Sequence, residues 1–162
     1  MERLHLYKNI EEHPELIDAS VIGMIPSWIK GTLVKNGAGI YNVGSNRYNH
    51  PFDGLSLLLK FYISDGKVEF CSNYLRSDAY KTNMAAQRIV VSELGTMAVP
   101  DPCKNIFQRY LTYFFPKETS DNTNVNCLAI DDQLYAVTDG RFLHRINPKT
   151  LENEAKVKKT LR

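Results

Sequence analysis

The chain has 162 residues, 43% of them hydrophobic, and its 20 lysines and arginines against 18 acids leave a formal net charge of +2. That composition can bury a core and lacks the basic excess that tracks nucleic acid, so no nucleic-acid partner is expected. No run of about 18 apolar residues occurs, so no membrane-spanning helix is predicted, and Met1-Glu2-Arg3-Leu4-His5 has neither the apolar core of a signal peptide nor the look of a transit peptide.

Strand signals dominate the chain order. Leu55 to Ile63 is an apolar run, Ser64-Asp65-Gly66 supplies a turn, and Val68, Phe70 and Tyr74 lie on one face of the next run, with Ser72 the weak member. The pattern predicts a hairpin with a short glycine-containing loop. Residues Tyr80 to Gln87 predict a short helix, and Arg88 to Leu94 a further β-rich run. From Asp101 to Phe115, the residues Phe107, Tyr110, Leu111 and Phe114 recur at i, i+3, i+4 and i+7, one face of a helix. Asp101 before Pro102 is the expected N-cap. A meander follows: Asn124 to Ile130, a turn at Asp131-Asp132-Gln133, Leu134 to Thr138, a turn at Asp139-Gly140, and Arg141 to Ile146, ended by Asn147-Pro148-Lys149. Meanders joined by loops point to an all-β propeller or barrel. At roughly 40–50 residues per four-stranded blade, the length suits about three blades.

Common catalytic signatures are absent: no Gly-Lys-Ser/Thr phosphate loop, no H-E-x-x-H, no G-x-S-x-G. Gly37-Ala38-Gly39 reads as a turn with close backbone approach. Cys71, Cys103 and Cys127 are odd in number without a C-x-x-C spacing, which suggests free thiols in a reducing compartment. His5, His13, His50 and His144 are scattered, with no spacing of a local metal site.

Several segments, in order, resemble the carotenoid cleavage oxygenases, which include the carotene- and xanthophyll-cleaving enzymes and the retinoid isomerase of the retinal pigment epithelium. They are Tyr48-Asn49-His50-Pro51-Phe52-Asp53-Gly54, close to the family's Y-N-H-W-F-D-G; Ser77-Asp78-Ala79-Tyr80-Lys81-Thr82-Asn83; Pro100-Asp101-Pro102-Cys103-Lys104-Asn105, the family's P-D-P-C-K-N; and Asp121-Asn122-Thr123-Asn124-Val125-Asn126, with Asn147 to Glu152 a weaker match. The resemblance covers residues 20–157 and fails over 158–162. Pro51 replaces an aromatic, and Gly37-Ala38-Gly39 replaces Gly-Pro-Gly.

The resemblance implies a fold: residues 1–162 would be an incomplete part of an all-β, seven-bladed propeller with a short amphipathic helical insertion over 100–115. It also implies an oxidoreductase in which ferrous iron, held by four histidines on the propeller axis, activates dioxygen to cleave a polyene double bond. The family's histidine ligands are expected beyond Arg162, so no catalytic or metal-ligating residue is assigned here and no iron is expected to bind this chain alone. Asp139 aligns with a family glutamate that orients a ligand ring; a plain Asp-Gly turn is the other reading. The partners implied are a carotenoid or related apolar polyene and a membrane surface, with an intracellular location, cytoplasmic or mitochondrial, peripheral to the membrane. A truncated, non-catalytic product that only binds membrane or lipid is the alternative.

The insertion carries the membrane expectation. Phe107, Tyr110, Leu111, Phe114 and Phe115 give an apolar face, and Lys104 and Arg109 would meet anionic headgroups. Cys103 matches a family lipidation site and lies beside that helix; a core helix with a buried thiol is the competing reading. Phe107→Asp combined with Leu111→Asp is expected to abolish co-sedimentation of the chain with anionic liposomes, and undiminished binding would favour the core helix.

Overall fold

The computed structural model describes residues 7–108 and 119–159. Its strands are β1 (Ile17–Asp18), β2 (Gly31–Ile40), β3 (Asn42–Val43), β4 (Asn46–Arg47), β5 (Leu55–Ser64), β6 (Lys67–Tyr74), β7 (Asn126–Ile130), β8 (Gln133–Val137), β9 (Phe142–Ile146) and β10 (Asn153–Lys158). One helix, α1 (Asp78–Ala86), follows β6. The strands form two four-stranded antiparallel sheets, in the orders β1-β6-β5-β2 and β10-β9-β8-β7, with β3 and β4 as a separate ribbon.

The expected hairpin forms across Asp65-Gly66, whose φ values of 50° and 77° suit the two-residue turn that follows the right-handed twist of its strands. Asp131-Asp132 closes β7 to β8 the same way, with φ of 46° and 61°. Strand β5 organises the molecule because it is covered on both faces, which is why its sequence reads as a continuous apolar run. Leu55, Leu57 and Leu59 point to one side, into a cluster with Ile40, Val43, Tyr48, Tyr74 and Ile89, against which Tyr80 and Met84 of α1 pack. On the other side Leu58 meets Ala136 and Ile146 of the second sheet, joined by Cys71, Leu75 and Leu151. Lys60 points the same way and is buried; its ammonium donates to the carbonyl of Lys149 at 2.5 Å.

Four expectations need correction. Gly37-Ala38-Gly39 is not a turn but part of β2, at a register shift between Ala38 and Ile40. Its close approach is real: a Cβ on Gly39 would stand 2.6 Å from that of Leu57. Residues 88–94 form no strand, because the Val90 and Val91 N–H groups donate to the side chain of Asn83 at 2.8 and 3.0 Å instead of to a ladder. The helix expected from Asp101 begins at residue 106. Asp101 caps only a local turn, its Oδ1 accepting from the Cys103 N–H at 2.9 Å. The helix start is set by Asn105, whose Oδ1 accepts from the Gln108 N–H at 2.8 Å while Gln108 Oε1 accepts from the Asn105 N–H at 3.1 Å, a reciprocal capping box. Finally, the described residues hold two four-stranded sheets rather than three blades.

Helix α1 starts where the Ser77 hydroxyl accepts from the Tyr80 N–H at 3.1 Å and ends at Gln87 in the left-handed region. Beyond its two bonds to the Val90–Val91 backbone, buried Asn83 donates to the Tyr48 hydroxyl at 2.9 Å. Asn83→Ala would strand these partners and should cost about 3 kcal/mol, against about 1 kcal/mol for the cap variant Ser77→Ala. Urea denaturation of both variants measures the difference, and equal losses would contradict the central role given to Asn83.

Candidate functional site

A cleft of about 1070 Å³ opens beside the two sheets. It is lined by the irregular segment 90–94, by residues 36–38 of β2 with Tyr41, and by Phe52, Lys104, Val125 and the β8–β9 loop at 138–140. No helix among the described residues is long and apolar enough to cross a membrane.

The base of the cleft is held by side chains that hydrogen-bond to loop backbone. Asp53 is buried; its carboxylate accepts from the Gly95 N–H at 3.0 Å and from the Thr96 hydroxyl at 2.6 Å. Asn122 accepts from the Ser56 N–H at 3.0 Å and donates to the Gly54 carbonyl at 3.0 Å. Asn124 donates to the carbonyls of Phe52 and Gly54 at 2.7 and 2.8 Å. These bonds stand in for the ladder partners that a loop lacks. Asp121 serves the helix: its two oxygens accept from the Asp78 and Ala79 N–H groups at 3.0 and 2.9 Å, so a carboxylate sits at the positive end of α1. Burial opposes its ionisation, but the imidazole of His144, 3.6 Å away, and those two N–H groups hold it well below the usual carboxylate range.

Glu93 faces the opposite situation. It lines the cleft, where burial pushes its carboxyl up to about 8, with the charges of Asp53 and Asp121 adding to the rise. The Ser120 hydroxyl donates to Glu93 Oε1 at 2.5 Å and limits that rise. Sequence reasoning did not single out Glu93. The available signal was an acid that closes an apolar run, Ile89-Val90-Val91, and is followed by Gly95.

The expected site residues are distributed as follows. Asp139 and Lys104 both line the cleft, although 35 positions separate them in the chain. Asp139 is exposed on the β8–β9 loop and takes no hydrogen bond from the described residues. Cys103 is exposed, its sulfur 3.9 Å from the Ala85 carbonyl. Ile106 and Phe107 are 79% and 81% exposed. Arg109, Tyr110, Leu111, Phe114 and Phe115 lie outside the described residues.

Among the described residues, no three His, Cys, Asp or Glu side chains come together as a metal-holding group. His144 is buried with Nε2 3.0 Å from the backbone carbonyl of Asp121, a structural contact. The described residues therefore do not by themselves make the four-histidine iron site of the resemblance.

The sign of the Glu93 contribution follows from its raised value. The protonated form is favoured by folding, so its contribution is complete below about 4.5 and is lost as pH rises toward about 8. Glu93→Gln should flatten the pH dependence of thermal stability between those limits and raise the melting temperature above the upper one; a melting curve that keeps the wild-type slope would contradict the assignment.

Comparison with known proteins supplies the remaining observations. The family model described as retinal pigment epithelial membrane protein matches residues 7–160. Human beta,beta-carotene 15,15'-dioxygenase is 50% identical over 153 residues, which is 93% of this chain and 28% of that protein. The mitochondrial carotenoid-cleaving dioxygenase of Mustela putorius furo is 41% identical over 152 residues, 94% of this chain and 28% of that protein. The chain thus spans little more than a quarter of the length of these curated relatives. Among solved structures, a cobalt-substituted Synechocystis apocarotenoid oxygenase superposes with a TM-score of 0.75 at 26% identity, over 94% of this chain and 30% of that chain.

Proposed function

The chain belongs to the family of the retinal pigment epithelial membrane protein and the carotenoid dioxygenases, and on that premise we propose that it forms one side of the substrate cleft of an enzyme that cleaves a polyene double bond with dioxygen. The observation that carries this reading is the 50% identity with a carotene dioxygenase across nearly the whole chain. The cleft supports it: Tyr41, Phe52, Val90, Val91 and Leu94 present apolar surface that suits a polyene, which has few polar atoms of its own. The whole enzyme would be a seven-bladed propeller of which the two sheets here are part. Iron bound by histidines from the remainder of that enzyme would supply the activation of dioxygen.

This chain's own residues have three tasks in that scheme. The Asp53, Asn122 and Asn124 fastenings fix the loops that carry Phe52 and Leu94. Asp139, a free carboxylate on the rim, accepts the ring N–H of a histidine from outside this chain and holds that ring in one orientation, as the aligned glutamate does in the family. Ile106 and Phe107, with Lys104 and Cys103 beside them, form the shoulder that meets a membrane, from which a water-insoluble substrate is drawn. The last task stands without the first two, so a chain acting by itself would bind membrane or lipid and cleave nothing.

A chimera separates these readings. Residues 7–160 replace the matching segment of the human carotene dioxygenase, and the products from β,β-carotene in detergent micelles are separated by chromatography. The chimera is expected to yield the carbonyl products. Asp139→Ala is expected to lower kcat at least about tenfold, the usual cost of losing a partner that orients a ligand, with recovery in Asp139→Glu. The 162-residue chain alone is expected to give no product and to carry no stoichiometric iron by elemental analysis. A folded, iron-loaded chimera without activity would overturn the dioxygenase reading, and an unaffected Asp139→Ala would remove the positioning role.

A further inference from the structure

Strand β2 leaves its ladder with β5 just after the register shift between Ala38 and Ile40, so the residues that follow, Tyr41 and Asn42, have no partner in that ladder. An N-terminal strap, residues 7–13, supplies one. Asn9 Oδ1 accepts from the Tyr41 and Asn42 N–H groups at 2.8 and 2.9 Å, and Asn9 Nδ2 donates to the Asn42 carbonyl at 2.8 Å. A single side chain thus completes this backbone as a neighbouring strand would. The strap itself is tied on both sides of Asn9. The Asn42 amide donates to the Tyr7 carbonyl at 3.0 Å, and the Ile10 N–H donates to the Gly39 carbonyl at 2.9 Å. Further along, the Glu12 carboxylate accepts from the Tyr74 N–H at 2.8 Å and pairs with Arg76.

Tyr41 is the residue of this stretch that lines the cleft, and two further contacts hold its ring. Tyr7 meets it edge-on, with centroids 5.4 Å apart and planes at 82°, while the Arg47 guanidinium lies over the Tyr7 ring at 4.7 Å. Tyr41 Cε1 also lies against Gly54, only 3.0 Å from where a Cβ there would stand, and the Gly54 carbonyl is fixed by Asn122 and Asn124. We propose that Asn9 is a positioning residue of the cleft: by holding the Tyr41–Asn42 backbone it sets where the Tyr41 ring stands, and so couples the N-terminal strap to occupancy of the cleft. This inference rests on the reading of the cleft as a substrate site and adds to it a residue that acts from outside the cavity.

Exposure decides what the loss of Asn9 would change. Asn9 is exposed and Tyr7 half-buried, so water takes over the freed backbone groups and the fold is retained. The freedom of the Tyr41 ring is what increases. A ligand that needs one ring position then loses affinity in proportion to the time the ring spends elsewhere. By linkage, a ligand packed against Tyr41 tightens the strap in turn.

The test uses the chimera that carries residues 7–160, with β,β-carotene in detergent micelles. Asn9→Ala is expected to raise KM about five-fold, the worth of one hydrogen bond, while kcat stays within about two-fold of wild type. Asn9→Asp keeps the acceptor for both N–H groups and should restore KM. On a Tyr41→Leu background, Asn9→Ala should add nothing, because it acts through that ring. Tyr7→Leu leaves the backbone bonds of the strap in place and should raise KM in the same direction; it decides the matter if the alanine variant does not fold. A KM unmoved by Asn9→Ala, or an equal rise on the Tyr41→Leu background, overturns the inference and leaves the substrate cleft intact. A folded, iron-loaded wild-type chimera without activity overturns the cleft reading and the inference with it.

Discussion

The structure depends on side-chain amides and carboxylates that bind backbone across long sequence distances. Two sheets built largely from hairpins leave wide loops between them, and loop backbone has no ladder partner of its own. Asp53, Asn83, Asn122 and Asn124 are buried, and each gives two or more hydrogen bonds to such backbone or to a buried hydroxyl. A buried N–H or C=O without a partner costs more than a made bond contributes. These residues therefore act together as fastenings, and the wall and rim of the cleft are the loops they secure.

The same constraint explains the segments that carry the family resemblance. In the Tyr48 to Gly54 segment, Tyr48 receives Asn83 and Asp53 holds the turn at Gly95-Thr96. In the Ser77 to Asn83 segment, Ser77 caps the helix and Asn83 binds the chain that follows it. In the Asp121 to Asn126 segment, Asp121 caps the same helix from across the molecule, and Asn122 and Asn124 clasp Gly54. Gly54 has no room for a side chain, since a Cβ there would lie 2.8 Å from that of Ala38. Such positions tolerate few residue types because shape and hydrogen-bonding pattern must both be met.

The departures from expectation share one physical cause. Hairpins and amphipathic faces are local, so β5, β6, α1, β7, β8 and β9 were readable from period and turn chemistry. Strand β2 carries three glycines and was hidden by them, and β10 has only Ala155 and Val157 as apolar members. The run Ile89-Val90-Val91 has strand composition, but a side-chain acceptor from α1 takes its N–H groups first. Asp101-Pro102 has the form of a helix start, yet the Asn105–Gln108 pair offers reciprocal bonds that Asp101 cannot match.

The amino-acid sequence by itself determined the all-β class and the family, and it singled out the segment that carries Phe107 and Lys104. Each rests on local pattern or on ordered short segments. Tertiary structure alone decided that Asp139 and Lys104 border one cleft and that Glu93 lies within it with one oxygen tied to Ser120. The bonds that fix this arrangement join residues 27 to 72 positions apart. A charge environment and a shared cavity arise only when the chain has folded back on itself, so no reading of neighbours in sequence could have placed them.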